Sequence, residues 1–423
     1  VADLWARGDI AEFLAMGFLP WCVDGVLRMR EAPTPRRALG LGVAAAAAIL
    51  SHNILGMLAG GTMAATALVA TATSPRPLRT GALAALGGAI GLLLTAFFWI
   101  PALLERQWVR TERMIQGFYA VESNFRPLAN LFHVGEMPAS ELGMPVSLGL
   151  GGPAILLAAV AVLAPRRIPR QARPLALVGA VLLVGGGFLV TSASRPVWGV
   201  LPLLRFAQFP WRFAAIAALG AAIGAALGFE ALGGRWRRAL RVGAAAVVGA
   251  AALAGVRDGI APGEGLPAIP GLLEIERIRS QRFNTTARNE YLPRWVPQVV
   301  EPLGFEEGVQ VVGDAVVRDV VRRVGRYELR VQAGEPATLV LRDYYYPGWR
   351  ATIDGRAAEV RPRAATGHLE LDVPAGTRTV HVRFGPTPLR AAASALSAAT
   401  ALAAVVALVA RRRTAGTGAG RLG

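Results

Sequence analysis

The chain has 423 residues, 53% hydrophobic and 17% charged, with a net charge of +17 and a positive mean hydropathy. That balance excludes a soluble globule and specifies an integral membrane protein. The positive charge is carried by arginine, since there is no lysine, and sits mostly in short clusters beside apolar segments; topology or anionic lipid accounts for it, and no nucleic acid is a predicted partner.

A single cysteine, Cys22, excludes an internal disulfide framework and a thiolate zinc cluster. The chain opens at Val1 without the basic n-region of a signal peptide, so it is expected to be the later part of a longer protein.

Residues 10–27 form the first apolar segment, closed by Arg28, Arg30, Arg36 and Arg37. Because short cytoplasmic loops collect arginine, its start, with Arg7, Asp9 and Glu12, is expected outside. Residues 38–72 are apolar except for Ser51, His52 and Asn53, and the limbs of about 13 and about 19 residues are together too long for one crossing. With Arg36 and Arg37 before it and Arg76 and Arg79 after it, this segment goes in and comes back, turning at Ser51-His52-Asn53 near the external surface. Two readings of the turn stand side by side: intramembrane polar residues mark functional sites, and the same residue types cap helices.

Residues 80–104 are expected to cross outward with Phe97, Phe98 and Trp99 at the external end. The loop 105–145 carries Arg106, Arg110, Arg113, Arg126 and His133 among glutamates and is too long to be a bare connector. Residues 146–163 return to Arg166, Arg167, Arg170 and Arg173, and 174–190 go back out. The next external loop, 191–210, holds Arg195, Trp198, Arg205 and Gln208, followed by Trp211 and Arg212. Residues 213–232 run inward to Arg235, Arg237, Arg238 and Arg241, and the short segment 242–256 exits. Residues 1–257 are thus read as an α-helical multi-span domain of about eight membrane segments.

From 258 to 386 the apolar runs give way to alternation typical of strands, at 325–331, 337–346, 349–354, 368–373 and 377–384. These predict an extracytoplasmic antiparallel β-sandwich of about 70 to 80 residues, with a hairpin at Asp354-Gly355 and a partly helical stretch at 272–297 before it. Alternation puts Tyr344 and Tyr346 on one strand face and Tyr345 on the other, with Trp349 filling the core; an outward-facing tyrosine would offer a platform for a sugar ring. Residues 387–413 form a final transmembrane helix and 414–423 a cytoplasmic tail.

This topology puts Arg7, Asp9, Glu12, His52, Asn53, Glu105, Arg106, His133, Arg205, Gln208 and Arg212 on the external face. External arginines run against the positive-inside bias and suit a lipid-linked phosphate, which guanidinium forks bind in bidentate fashion. Asp9, Glu12 and His52 are the candidate proton-handling residues; Arg7, Asn53, Glu105, Arg106, His133, Arg205, Gln208 and Arg212 are the candidate substrate contacts. Arg7, Glu12, His52 and Arg212 are predicted to converge in one cavity. Against this stands the plainer reading that these charges pair with one another in a solvated loop.

Several of these stretches resemble a known group. Arg7-Gly8 with Ala11-Glu12-Phe13, the Ser51-His52-Asn53 break, residues 98–105, Gln208-Phe209-Pro210-Trp211-Arg212-Phe213 and Tyr291-Leu292-Pro293-Arg294-Trp295 resemble the bacterial membrane proteins called 6-pyruvoyl-tetrahydropterin synthase-related. Residues 345–355 are similar to the C-terminal β-domain of YfhO-like membrane proteins. The resemblance implies the GT-C superfamily, polytopic inner-membrane glycosyltransferases that use polyprenyl-phosphate sugars on the extracytoplasmic side. Its implied partners are a polyprenyl-phosphate-linked sugar, membrane lipid and a glycan acceptor.

The usual acidic residue of that superfamily lies in a first external loop, which is expected to precede this chain; Asp9 or Glu12 would then support rather than catalyse. The family's label does not carry pterin chemistry, because His52, His133, His368 and His381 lack the spacing of a zinc site. The sequence specifies no cofactor and leaves a divalent metal open. An alternative function, a non-enzymatic transporter or flippase of lipid-linked saccharides, fits the polar helix break equally well.

Overall fold

The computed structural model describes residues 10–131, 152–231, 238–239, 242–243, 246, 291–297 and 308–418. Most of the expected segment 242–256, most of 272–297 and the start of 146–163 lie outside these residues. The chain divides into two compact units, one of Val1–Ala96, Ile115–Leu266 and Leu396–Gly423, the other of Phe97–Met114 and Pro267–Ala395.

The first unit is helical. It contains α1 (Ile10–Glu31), α2 (Pro35–Ser51), α3 (Asn53–Ala72), α4 (Pro77–Leu94), α6 (Gly152–Leu163), α7 (Arg173–Val190), the short α8 (Arg195–Val200) and α9 (Ala214–Ala231); α5 (Ala96–Leu104) leads into the other unit, and α10 (Pro388–Gly418) returns from it. Among the described residues six helices are long and apolar enough to cross a membrane. Helices α1 to α4 pack together, and α9 packs on α6 and α7. Small residues permit this closeness: a Cβ on Gly220 of α9 would lie 2.6 Å from the Gly179 carbonyl of α7.

Residues 38–72 fold as the sequence predicts, into two helices that meet at His52. Segment 80–104 does not stay one helix. Thr95 ends α4: its hydroxyl bonds the carbonyls of Gly91 and Leu92, which competes with the helical ladder, and Pro101 denies the next helix a backbone donor. Beyond α5, residues 106–131 form successive 3₁₀ turns, in keeping with a loop too long to be a bare connector.

At one end of the bundle the arginine clusters hold backbone carbonyls: Arg30 Nε donates to Thr73 O at 3.1 Å, and Arg37 donates to the carbonyls of Arg28 and Ala32. At the other end lie the start of α1, the α2–α3 turn and the start of α9.

The second unit is a β-sandwich. One sheet has the order β1 (Val309–Val312), β4 (Ala337–Tyr344), β8 (His368–Val373), β7 (Arg361–Pro362); the other has β2 (Ala315–Arg323), β3 (Arg326–Ala333), β9 (Gly376–Phe384), β5 (Trp349–Ile353), β6 (Arg356–Ala358). All pairings are antiparallel. Leu339, Leu341, Leu369 and Leu371 from one sheet meet Tyr327, Leu329, Val380 and Val382 from the other in a closed core.

Strand β2 escaped the sequence pattern because a bulge between Val317 and Asp319 shifts its alternation. The β5–β6 hairpin turns at Asp354-Gly355, both at positive φ. Asp354 Oδ1 accepts the Thr379 N–H at 2.8 Å, and that bond, with Arg378 beside it, holds the carboxyl below its ordinary range. Residues 291–297, the described end of the stretch 272–297, are turn and bridge: Val109 pairs with Pro293, and Trp295 stacks on Trp108 at 5.5 Å.

Candidate functional site

The start of α9 is organised by a sequence rule and a strained turn. Two prolines, Pro202 and Pro210, open 3₁₀ turns, and between them Gln208 takes φ 62°, ψ −55°. The Phe209 N–H closes on the Ala207 carbonyl at 2.6 Å, making the rare γ-turn centred on Gln208. A non-glycine residue in this region costs about 1–3 kcal/mol and persists only where its surroundings over-determine it.

Arg212 supplies that determination. Its Nε lies 3.1 Å from Glu12 Oε1 and its Nη2 3.3 Å from Oε2, while Nη1 donates to the Ala207 carbonyl at 2.8 Å and to Gln208 Oε1 at 3.3 Å. Glu12 is 0% exposed and Arg212 5%. The guanidinium also sits over Phe209 at 5.0 Å and Trp211 at 5.7 Å, and these two rings stack at 5.2 Å. A buried fork of this kind meets the demands of a desolvated charge through carboxylate, carbonyl, amide and π-face together.

An aromatic layer closes around the turn. Trp198 donates Nε1–H to Ser194 Oγ at 3.1 Å and meets Phe213 and Phe125 edge-on at 5.5 and 6.1 Å. Tyr119 lies against Phe209, and Leu55 of α3 and Ala15 of α1 share the same apolar cluster. The α2–α3 turn therefore packs at the end of the bundle that holds Glu12 and Arg212.

His52 acts as the N-cap of α3. Its Nδ1 accepts the Leu55 N–H at 3.2 Å, and its own N–H bonds the Ala48 carbonyl. Gly56 lets the two helices close behind it, since a Cβ there would lie 2.6 Å from Ile49 Cα. With Nδ1 accepting, a neutral His52 ring carries its proton on Nε2. Asn53 is exposed, and its Oδ1 accepts the Ile54 N–H.

Of the other expected site residues, Arg205 is exposed on the 3₁₀ turn before Gln208. Arg7, Asp9 and His133 lie outside the described residues. Glu105 belongs to the second unit, where it is buried: Thr387 Oγ1 donates to Oε1 at 2.7 Å, and Arg390 donates to Oε2 from Nε at 2.8 Å. Arg106 beside it is exposed and in the same unit. The structure thus brings Glu12, Gln208 and Arg212 together and takes Glu105 into another contact.

Sequence reading missed Arg390 and Thr387, although Thr387-Pro388 is the N-cap and N1 signature of a helix start and Arg390 N–H caps on Thr387 Oγ1. The Ala207 carbonyl, a backbone group, carried no signal at all. Among the described residues no group of three or more His, Cys, Asp or Glu is placed to hold a metal ion.

Residues 2–256 match a family model described as a 6-pyruvoyl-tetrahydropterin synthase related domain of membrane proteins. Comparisons with curated proteins and with solved structures give no match.

Proposed function

Because the chain belongs to the 6-pyruvoyl-tetrahydropterin synthase-related family of membrane proteins, we propose that it acts within the bilayer on a lipid-linked substrate, as a GT-C-type glycosyltransferase of the bacterial inner membrane. It moves a sugar from a polyprenyl-phosphate donor to a cell-envelope acceptor. The observation that carries this reading is the Glu12–Arg212 fork locking the strained Gln208 turn at the end of the bundle opposite the arginine clusters. Strain held by buried charge is a feature of functional sites.

In this reading the acceptor hydroxyl attacks the anomeric carbon, the bond from that carbon to the phosphate oxygen breaks, and polyprenyl phosphate leaves. Arg205, exposed one turn ahead of Gln208, binds the phosphate, and His52 donates Nε2–H to it. Glu12 and Arg212 position the turn that presents Arg205, since both Glu12 oxygens are already engaged. The hydroxyl proton passes to a carboxylate base, with Asp9 in a supporting role. Exposed Asn53 supplies amide hydrogen bonds to the sugar, and Gln208 holds the turn through Arg212. Under this topology the β-sandwich is extracytoplasmic.

The test is transfer from a radiolabelled polyprenyl-phosphate sugar by the purified protein in liposomes containing acceptor glycan. Transfer that falls at least about tenfold in Arg205→Ala, with unchanged thermal stability, supports the assignment. Movement of intact donor across the bilayer without cleavage would replace it with the transporter reading.

A further inference from the structure

The β-sandwich carries an open cleft of about 670 Å³ that its core does not need. Its walls are Tyr344, Tyr346, Trp349 and Phe384 on the apolar side and Arg322 and Asp343 on the polar side. The sandwich fills its interior elsewhere, with Tyr327 and the leucines and valines of both sheets fully enclosed. The cleft aromatics are instead only part-buried, and Phe384 is 41% exposed. Trp349 packs on the core against Tyr327 at 6.3 Å and Tyr344 lies against His368 at 4.6 Å, while the rest of this aromatic surface stays open, as on a binding face.

The polar wall is built, not incidental. Asp343 Oδ2 accepts from the Tyr327 hydroxyl at 2.7 Å, and Arg322 Nη2 lies 3.5 Å from Oδ1. Tyr327 is wholly buried, and burial together with Asp343 pushes its phenol up to about 12, so it remains a donor and pins the carboxylate. The Asp343 and Arg322 side chains nonetheless stay 34% and 40% exposed, within reach of a ligand. The aromatic wall is fixed as well: Gly348, at φ 123°, lets Trp349 pack on Phe384 at 5.3 Å, and Arg390 lies over Tyr346 and Phe384 at 5.0 and 5.2 Å.

A carboxylate beside a guanidinium offers an acceptor and donors side by side, which matches two adjacent hydroxyls. Aromatic faces next to them match the apolar C–H face of the same ring. From this juxtaposition we infer that the cleft between Asp343–Arg322 and the Tyr344, Tyr346, Trp349, Phe384 wall is a saccharide-binding site. The volume suits a small oligosaccharide. Arg323, also lining the cleft, lies where an acidic substituent on the sugar would find a cation.

The inference does not rest on the transferase reading, because binding is measured without donor. The full chain in lipid nanodiscs, free of sugar-based detergent, is titrated with cellotriose, mannotriose, chitotriose and trigalacturonic acid, and binding is followed by calorimetry and saturation-transfer NMR. Saturable binding of at least one probe is expected, weakened about tenfold or more by Asp343→Asn and by Phe384→Ala. Should Phe384→Ala lower the melting temperature, the isosteric Asp343→Asn variant decides. Absence of saturable binding for all four probes, or binding indifferent to Asp343→Asn, overturns the site.

Discussion

Arg212 grips Glu12 through two guanidinium nitrogens, at 3.1 and 3.3 Å, across 200 residues of chain. Both groups are buried, so removing either leaves a desolvated charge without its partner. Glu12→Ala or Arg212→Ala is expected to cost about 3–5 kcal/mol. A Glu12→Leu/Arg212→Met double variant should cost less than the sum of the single changes. Denaturant or thermal unfolding in nanodiscs measures this; single losses below about 1 kcal/mol would mean the pair is solvated after all.

Thr387 does two jobs at the start of α10, donating to Glu105 and accepting the Arg390 N–H. Thr387→Val keeps the shape and removes both, so a loss of about 1–2 kcal/mol is expected, with faster hydrogen exchange in the first turn of α10. Unchanged exchange there contradicts the capping role.

His368 is held well below its ordinary value, at about 4, first by burial and then by Arg363, with Asp343 opposing. Its folded pKa is depressed, so between about pH 4 and pH 6.5 the unfolded chain binds the proton that the folded chain refuses. Stability of the β-sandwich should therefore be full above about pH 6.5 and decline as pH falls toward 4. His368→Phe should flatten that limb of the melting-temperature profile; an unchanged limb shows that another group titrates.

Gly348 sits at φ 123°, and a Cβ there would lie 2.5 Å from the Gly385 carbonyl and 3.0 Å from Phe384 Cε2. Gly348→Ala is expected to cost more than about 1 kcal/mol and to shift the Trp349 environment, whereas Gly355→Ala at the hairpin, where nothing lies within 4 Å, pays only for its positive φ. Near-ultraviolet circular dichroism and thermal unfolding separate the two.

The arginine clusters set the expected sidedness. In a Cys22→Ala background, Arg205→Cys is expected to react with a membrane-impermeant maleimide from outside, and Arg36→Cys only after the membrane is opened. The reverse pattern inverts the topology and with it the proposed site.

Much of the architecture is local, and the sequence carries it. The break at Ser51-His52-Asn53 and the two helices around it, Pro35–Ser51 and Asn53–Ala72, are legible because hydrophobic length and cap residues act over a few positions. Strand His368–Val373 is legible because one face is buried and its alternation is unbroken. The bulge in Ala315–Arg323 hid that strand by the same logic, since one extra residue shifts every later side chain to the other face.

The site was half legible. Glu12 and Arg212 stand out as polar residues at helix ends expected in one cavity, yet the sequence carries no sign that they bond each other directly, or that Glu105 turns to Arg390, 285 residues away. Charge pairs are set by which elements the packed small-residue faces bring together, and the γ-turn at Gln208 is held by bonds from Arg212 to the Ala207 carbonyl and the Gln208 amide. Local pattern determined the elements; desolvation, which forces each buried charge to find a partner wherever the fold puts one, decided the contacts.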